Sequence, residues 1–262
     1  MPRELTSTRN PRVRAAAALS RARERRARGR HLVEGPNAVT EALAAGVVEE
    51  LYVTASWAPP PDLDPAVDAY EVPDHVLEHL ADATTPQGVV AVARTVTAEL
   101  DGLPDGVLVV LDRLSDPGNV GTILRTADAL GAAAVILTEG SADAFAPKTI
   151  RAAVGSTYHL PIVVGVELGA VSEAARDSGR VVLGLDAAAT TGLQPLRDAE
   201  GNVALVLFNE AHGMDEHAVG HLDGTVAIAL HRRAESLNVA AAAAIALYAA
   251  STLPSTLEEG TS

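Results

Sequence analysis

Leu111-Asp-Arg-Leu-Ser-Asp-Pro-Gly-Asn-Val-Gly-Thr-Ile-Leu-Arg-Thr-Ala-Asp-Ala-Leu-Gly131 is the stretch on which the reading of this chain turns. It continues the apolar run Val107–Leu111, which has the character of a buried strand. Pro117, Gly118 and Gly121 then mark a turn with Asn119 inside it, and a helix is expected over Gly121–Leu130. Arg125 lies one helical turn beyond Gly121, on the face that can point back toward the strand ends. Loops at the carboxyl ends of parallel strands are where open α/β sheets place their ligands. A capped helix with an incidental surface arginine would look the same, so this stretch alone speaks to fold rather than function.

Reading outward, the pattern repeats. Short apolar strands are expected at Ala134–Leu137, Ile162–Val164, Val181–Leu185, Val203–Leu207 and Thr225–Ala229. Helices fill Pro147–Val154, Leu168–Ser178 and Ser236–Tyr248, the last with Ser236 as its cap. Apolar strands joined by helices predict a parallel sheet covered on both faces. Toward the N-terminus, Asn10–Arg30 reads as one basic helix with Val13, Ala17 and Leu19 on a thin apolar side. His31–Glu34 reads as a strand closed by Gly35-Pro36. Asn37 is expected to cap a helix over Ala38–Ala45, and Asp74 one over His75–Ala81. Leu51–Thr54 and Val89–Ala93 complete a smaller α/β unit. The expected organisation is therefore a small α/β domain over residues 1–95, a linker over 96–106 and a larger parallel-sheet α/β domain over 107–262.

The 262 residues contain no cysteine, which excludes disulfides, thiolate metal sites and a cysteine nucleophile. No apolar segment follows the arginine-rich start as a signal peptide would require, and no apolar run is long enough for a bilayer span, so a cytoplasmic location is expected. The net charge of −14 argues at first sight against nucleic acid. Its distribution reverses the argument. Residues 1–30 carry ten arginines and two glutamates, a local charge of +8, whereas the remainder carries −22. Such concentration at one end is a footprint of polyanion binding, although an exposed basic helix would produce it too.

Two further segments carry polar groups at strand ends. Leu205-Val-Leu-Phe-Asn-Glu-Ala-His-Gly-Met214 empties an apolar strand into a turn with Asn209, Glu210 and Gly213. Val226-Ala-Ile-Ala-Leu230 is followed by His231-Arg-Arg-Ala-Glu-Ser-Leu-Asn-Val239 and an alanine-rich helix. Asn238 is an odd choice near a helix start on propensity alone, because its side chain competes with the backbone for hydrogen bonds.

Taken together and in order, Asn-x-Gly-x-x-x-Arg, Asn-Glu-x-x-Gly and Glu-Ser-Leu-Asn-Val resemble the three motifs of the SpoU (TrmH-like) methyltransferases. The resemblance covers Val107–Tyr248. Residues before it are similar to that family's ribosomal-protein-like substrate-binding domain, on Ser7-x-x-Asn10, the arginine-rich segment, Leu32-Val-Glu-Gly35 and Thr85-Pro-Gln-Gly88. The resemblance implies a trefoil-knotted SPOUT domain, a homodimer, S-adenosylmethionine as cofactor, no metal, and methylation of an RNA ribose 2′-hydroxyl, with ribosomal RNA favoured over tRNA. It further implies that Asn119 and Arg125 handle the acceptor ribose while Glu210, Ser236 and Asn238 organise the pocket. Thr138, Leu207, Phe208, Asn209, Gly213, Ile228, Leu230 and Leu237 would hold the cofactor. Arg9, Arg12, Arg21, Arg25, Arg28 and Arg30 are the expected RNA-binding residues.

Two departures stand out. Phe208 occupies a position where the family usually has Gly, and Ala229 one where it commonly has Pro. A phenyl ring at 208 can crowd the cofactor or turn away from it. Three readings stay open on the sequence: an active rRNA methyltransferase, one acting on tRNA, and an RNA-binding protein of the same fold impaired by Phe208. A generic nucleotide-binding enzyme is disfavoured, since neither G-x-G-x-x-G nor G-x-x-x-x-G-K-[ST] occurs.

Overall fold

After a two-residue strand, β1 (Arg3–Glu4), the arginine-rich arm folds as two short helices rather than the single one expected. Asn10 caps α1 (Pro11–Ala17), its side chain accepting a 2.9 Å hydrogen bond from the Arg12 N–H. A 3-10 turn over Ala18–Ser20 follows, Arg21 is extended, and α2 (Ala22–Arg28) ends at Gly29 in the left-handed conformation. The break has a local cause. Arg25 folds its guanidinium back and donates from Nη1 to the carbonyls of Leu19 and Ser20, at 2.9 and 2.8 Å, which an unbroken helix would have engaged itself.

The computed structural model describes residues 2–209, 213–231 and 236–251, and the chain divides into two compact units. The first holds the residues up to Ala98 with Ser115–Arg125 and Ala142–Ile162; the second holds Glu99–Leu114, Thr126–Ser141 and the residues from Val163 onward.

In the first unit the arm leads into β2 (Arg30–Glu34), α3 (Pro36–Ala44), β3 (Val48–Val53), β4 (Asp68–Glu71), α4 (Asp74–Leu80) and β5 (Val89–Arg94). The strands form a sheet in the order β1-β4-β3-β5-β2, with β1, β4 and β3 mutually parallel and β5 antiparallel to both β3 and β2. Leu32, Val90 and Val92 pack with Val13, Leu19, Val76 and Leu80 beneath α1 and α4. The alternate residues Val33, Val89 and Ala91 are buried too, as strand periodicity requires when both faces are covered. Gly35, not Asn37, occupies the N-cap of α3, because Pro36 takes the first helical position, where its fixed φ and missing N–H cost nothing. Similarly Pro73 precedes α4, and Asp74 sits inside its first turn, favoured there by the helix dipole. Strand β4 carries no strong sequence signal: Asp68-Ala-Tyr-Glu71 is short and half acidic, and only Tyr70 is buried.

The remaining elements are β6 (Leu108–Asp112), α5 (Pro117–Ala129), β7 (Ala134–Thr138), α6 (Pro147–Ala153), β8 (Ile162–Val166), α7 (Leu168–Asp177), β9 (Val181–Leu185), α8 (Gln194–Asp198), β10 (Val203–Phe208), α9 (Glu216–Val219), β11 (Gly224–Val226) and α10 (Val239–Ala250). The strands form a sheet in the order β11-β9-β10-β6-β7-β8, and every pair with a described register is parallel. Strands β6, β7 and β10 are buried along their whole length, which is why they read as unbroken apolar runs. From β6 the chain steps outward to β7 and β8; β10, β9 and β11 lie on its other side. The order therefore reverses between β6 and β10, and open α/β sheets bind ligands outside the carboxyl ends of the strands at such a switch point.

Helix α5 begins about one turn earlier than the sequence pattern indicates, so Asn119 lies in its first turn and not in a loop. Asp116 explains the early start. Its carboxylate accepts from the N–H groups of Gly118 and Asn119 at 2.6 and 3.0 Å, and Lys148 Nζ pairs with it at 3.0 Å. Gly121 permits close approach of α6: a Cβ there would run into the Thr149 carbonyl and lie 2.6 Å from Ala152 Cβ.

Candidate active site

In the second unit, the carboxyl ends of β9 and β10, the segment after β11 and the start of α10 enclose one cleft. Its walls are Leu185, Asp186 and Ala187 after β9, Leu207, Phe208 and Asn209 at the end of β10, and Gly213 and Met214 beyond. Ile228, Leu230, Ser236 and Leu237 close it with Val239 and Ala242 of α10. The cavity itself measures about 200 Å³ and opens to solvent at its mouth.

Sequence segments far apart thus meet here. Seven of the eight residues expected to hold a cofactor line this cleft: Leu207, Phe208, Asn209, Gly213, Ile228, Leu230 and Leu237. Ser236 lines it as well. Thr138 does not; it is buried, and its hydroxyl donates to Asp112 Oδ1 at 2.9 Å while accepting from the Arg113 N–H at 3.0 Å. Its place is in the frame beneath the strand ends. Glu210 lies outside the described residues.

Asn238 has a local explanation. It is the N-cap of α10, not a residue inside a helix, and its side-chain oxygen accepts from the Ala240 and Ala241 N–H groups at 2.9 and 3.4 Å. Ser236, the expected cap, stands two residues earlier and lines the cleft instead. The cap fixes where α10 begins, and with it Leu237 and Val239 on the wall.

The polar frame is tightly tied. Asn209 Nδ2 donates to the Arg113 carbonyl at 2.7 Å, and the Gly213 N–H returns to the Asn209 carbonyl at 2.8 Å, with Gly213 in the left-handed conformation. Asp186, which sequence reasoning missed, closes a tight turn by accepting from the Ala188 N–H at 3.1 Å. A signal for it exists in the sequence: it is the first polar residue after an apolar strand, as Asn209 is after β10.

Phe208, the larger of the two departures, is a buried residue. The edge of its ring occupies the space left by Gly184 on the neighbouring strand. The ring forms part of the cleft wall.

Residues 106–248 match the SpoU rRNA Methylase family, and residues 10–91 match the MRM3-like substrate binding domain. The chain belongs to the SpoU methylase family. Among other SpoU methylases, the 23S rRNA (guanosine(2553)-2′-O)-methyltransferase RlmP of Bacillus subtilis is 34% identical over 247 residues, covering 94% of this chain and 98% of that protein. The 23S rRNA (uridine(2479)-2′-O)-methyltransferase of Streptomyces viridochromogenes is 36% identical over 186 residues, 68% of this chain and 64% of the relative. The crystal structure of an AdoMet-bound rRNA methyltransferase from Sinorhizobium meliloti superposes with a TM-score of 0.84 at 29% identity, covering 95% of this chain and 97% of that one. The parallel sheet is thus that of the SPOUT methyltransferases, joined to an N-terminal sheet domain.

In the first unit, Asn119 and Arg125 are both carried by α5, and Arg125 is exposed. The arginines of the arm sort into classes that the sequence does not separate. Arg25 is a correction. It is 6% exposed, and its Nε and Nη2 donate to Asp143 Oδ2 at 2.9 and 2.6 Å, so four of its five N–H groups are held within the protein. Arg12 is exposed but paired with Glu50 and Asp68 over the Tyr70 ring; Arg28 pairs with Glu24 and Arg30 with Glu49. Arg9 and Arg21 are exposed without an ion pair among the described residues, and so are Arg14, Arg23 and Arg26, which the motif spacing does not single out.

Proposed function

We propose that this SpoU methylase transfers a methyl group from S-adenosylmethionine to a ribose 2′-hydroxyl of large-subunit ribosomal RNA. The observation that carries the reading is the cleft at the carboxyl ends of β9 and β10, next to the switch point of the parallel sheet, where residues of two of the three sequence motifs meet the end of β9. Its apolar side, Leu185, Leu207, Phe208, Ile228 and Leu237, suits a purine ring. Asn209, Ser236 and Asp186 supply hydrogen-bonding groups for the sugar and amino-acid parts, and the Asp186 carboxylate is favourable to a cation such as a sulfonium. The 23S rRNA substrates of the B. subtilis and S. viridochromogenes relatives favour ribosomal RNA over tRNA.

When bound, S-adenosylmethionine supplies a methyl group already activated by its positive sulfur. The chain's own residues then have to align the acceptor hydroxyl and let its proton leave. We assign Arg125 and Asn119 to the acceptor ribose and its adjacent phosphate. A guanidinium stays protonated in proteins, so Arg125 orients while the phosphate or a water takes the proton. Glu210, Ser236 and Asn238 are assigned to organising the pocket, and no step calls for a metal. Residues 1–95 are assigned to RNA recognition, 96–106 to the linker and 107–262 to catalysis in a cytoplasmic homodimer. The exposed Tyr248 and Ile245 of the otherwise apolar α10 support a second copy as the cover for that helix face.

The test is methylation of protein-free 23S rRNA and of total tRNA with radiolabelled S-adenosylmethionine, followed by digestion to nucleosides. Label in a 2′-O-methylnucleoside from 23S rRNA is expected. Label confined to tRNA would overturn the substrate, and label confined to a base would overturn the reaction.

A further inference from the structure

Arg113, the first residue beyond β6, holds a backbone conformation that few side chains adopt, with φ at +53°. Such strain persists only where the surroundings over-determine it. Here four hydrogen bonds do so. Its N–H donates to Thr138 Oγ1 at 3.0 Å and its carbonyl accepts from Asn209 Nδ2 at 2.7 Å. Nε donates to Asp112 Oδ2 at 3.0 Å, and Nη1 donates to Asp215 Oδ2 at 2.8 Å. Asp112 is buried and fixed from its other oxygen by Thr138, so the guanidinium is anchored on the sheet side. Asp215 is fixed as the N-cap of α9, accepting from the Ala218 N–H at 2.9 Å.

Two of these bonds, to Asn209 and to Asp215, reach the segment that follows β10. Asn209 opens that segment and lines the cleft; Gly213 and Met214 also line it, and Asp215 comes next. We infer that Arg113 is a positioning residue for the cofactor: its carbonyl sets the orientation of Asn209, and its guanidinium pins the far end of the same wall through Asp215. Arg113 is thereby tied to Asn209, just after β10, and to Asp215, at the start of α9. The left-handed backbone is what lets a single residue present its carbonyl to Asn209 and its side chain to Asp215. This inference rests on the reading of the cleft as the S-adenosylmethionine site.

Two variants separate the parts. Arg113→Gly keeps the left-handed backbone and removes the guanidinium. Asp215→Asn keeps a good N-cap and removes the charge. Each is expected to weaken S-adenosylmethionine binding about tenfold in calorimetric titration, with the double variant no weaker than either single, because coupled partners are non-additive. RNA affinity should change little in either variant. Asp215→Asn should leave the melting temperature without cofactor near that of the wild type, whereas Arg113→Gly should lower it, because the buried Asp112 loses its partner. Unchanged cofactor affinity in both variants, or additive losses in the double, would overturn the positioning role, as would a fall in melting temperature with cofactor affinity intact. A wild-type chain that gives no binding heat with S-adenosylmethionine would instead overturn the cleft assignment itself.

Discussion

The Phe208 ring lies over Gly184 of the neighbouring strand, close enough that a Cβ on residue 184 would stand 3.1 Å from Phe208 Cε2 and 3.4 Å from Cζ. Gly184 pairs with Val206 in the parallel register, two residues before Phe208, so all three side-chain positions share one face of the sheet. The missing side chain on β9 and the extra ring on β10 form a matched pair. A substitution that looks damaging at one position is accommodated by its neighbour, and the ring becomes wall in place of obstruction.

Restoring glycine at 208 should therefore harm the protein. Phe208→Gly would leave a cavity opposite a second glycine, with a loss of about 3–5 kcal/mol by analogy with large-to-small core changes. Thermal unfolding should show a clear fall in melting temperature, with no gain in S-adenosylmethionine affinity. A variant that bound the cofactor more tightly at unchanged stability would mean that the ring crowds the site after all.

Gly184→Val tests the same pair from the other side. The added side chain meets Phe208 and also Leu222 Cδ1, 2.7 Å from the new Cβ, so overpacking should cost about 1–3 kcal/mol. Combining it with Phe208→Ala should recover part of that loss. Strictly additive melting temperatures would show that the two residues do not share this space.

Much of this is legible in the sequence. Strands β6, β7 and β10 are buried on both faces, so their apolar runs locate them to within one residue. The cleft residues are legible from the motifs because the carboxyl ends of parallel neighbouring strands, β9 and β10, lie side by side by topology. What fails is local. Asn37 and Asp74 look like caps, but a proline at the first helical position and a proline just before the helix move both boundaries. Asn238 looks misplaced only while Ser236 is expected to cap the helix. Tertiary pairing is invisible altogether: nothing in the sequence separates Arg25, bound to Asp143 from 118 positions away, from the exposed arginines around it.

That difference predicts opposite outcomes within one arm. Neutralising Arg14, Arg21, Arg23 and Arg26 together should flatten the salt dependence of RNA binding, by about one unit of slope for each phosphate no longer engaged, and leave folding intact. Arg25→Ala should instead destabilise by on the order of 3 kcal/mol, since it strands Asp143 and frees two backbone carbonyls. An Arg25→Ala protein that melts like wild type but binds RNA poorly would reverse the assignment.

Asn238 separates capping from chemistry. Replacing it with Ala should cost about 1 kcal/mol and weaken cofactor binding, because Leu237 and Val239 of the cleft wall hang on that cap. Asn238→Asp and Asn238→Ser retain a capping oxygen and should restore both stability and cofactor affinity. If either restores the melting temperature while turnover stays depressed, the carboxamide acts directly on the reacting groups.

His31 gives the first unit a pH signature of its own. It is fully buried, with one ring nitrogen 3.1 Å from Thr95 Oγ1 and the other 3.0 Å from the Tyr158 hydroxyl. Burial pushes its pKa down from 6.5 to about 4, the nearby Arg25 adding to the effect and Asp143 opposing it. The folded state thus holds this imidazole neutral where the unfolded chain would protonate it. Stability from His31 is complete above pH 6.5, declines as the pH falls toward 4 while the unfolded state gains a proton, and then levels off. Across that window the loss is on the order of 3 kcal/mol for one proton. His31→Gln, which keeps a hydrogen-bonding side chain without the titration, should flatten the curve of unfolding free energy against pH over that interval. Equal slopes in the variant and the wild type would show that other groups drive the acid sensitivity.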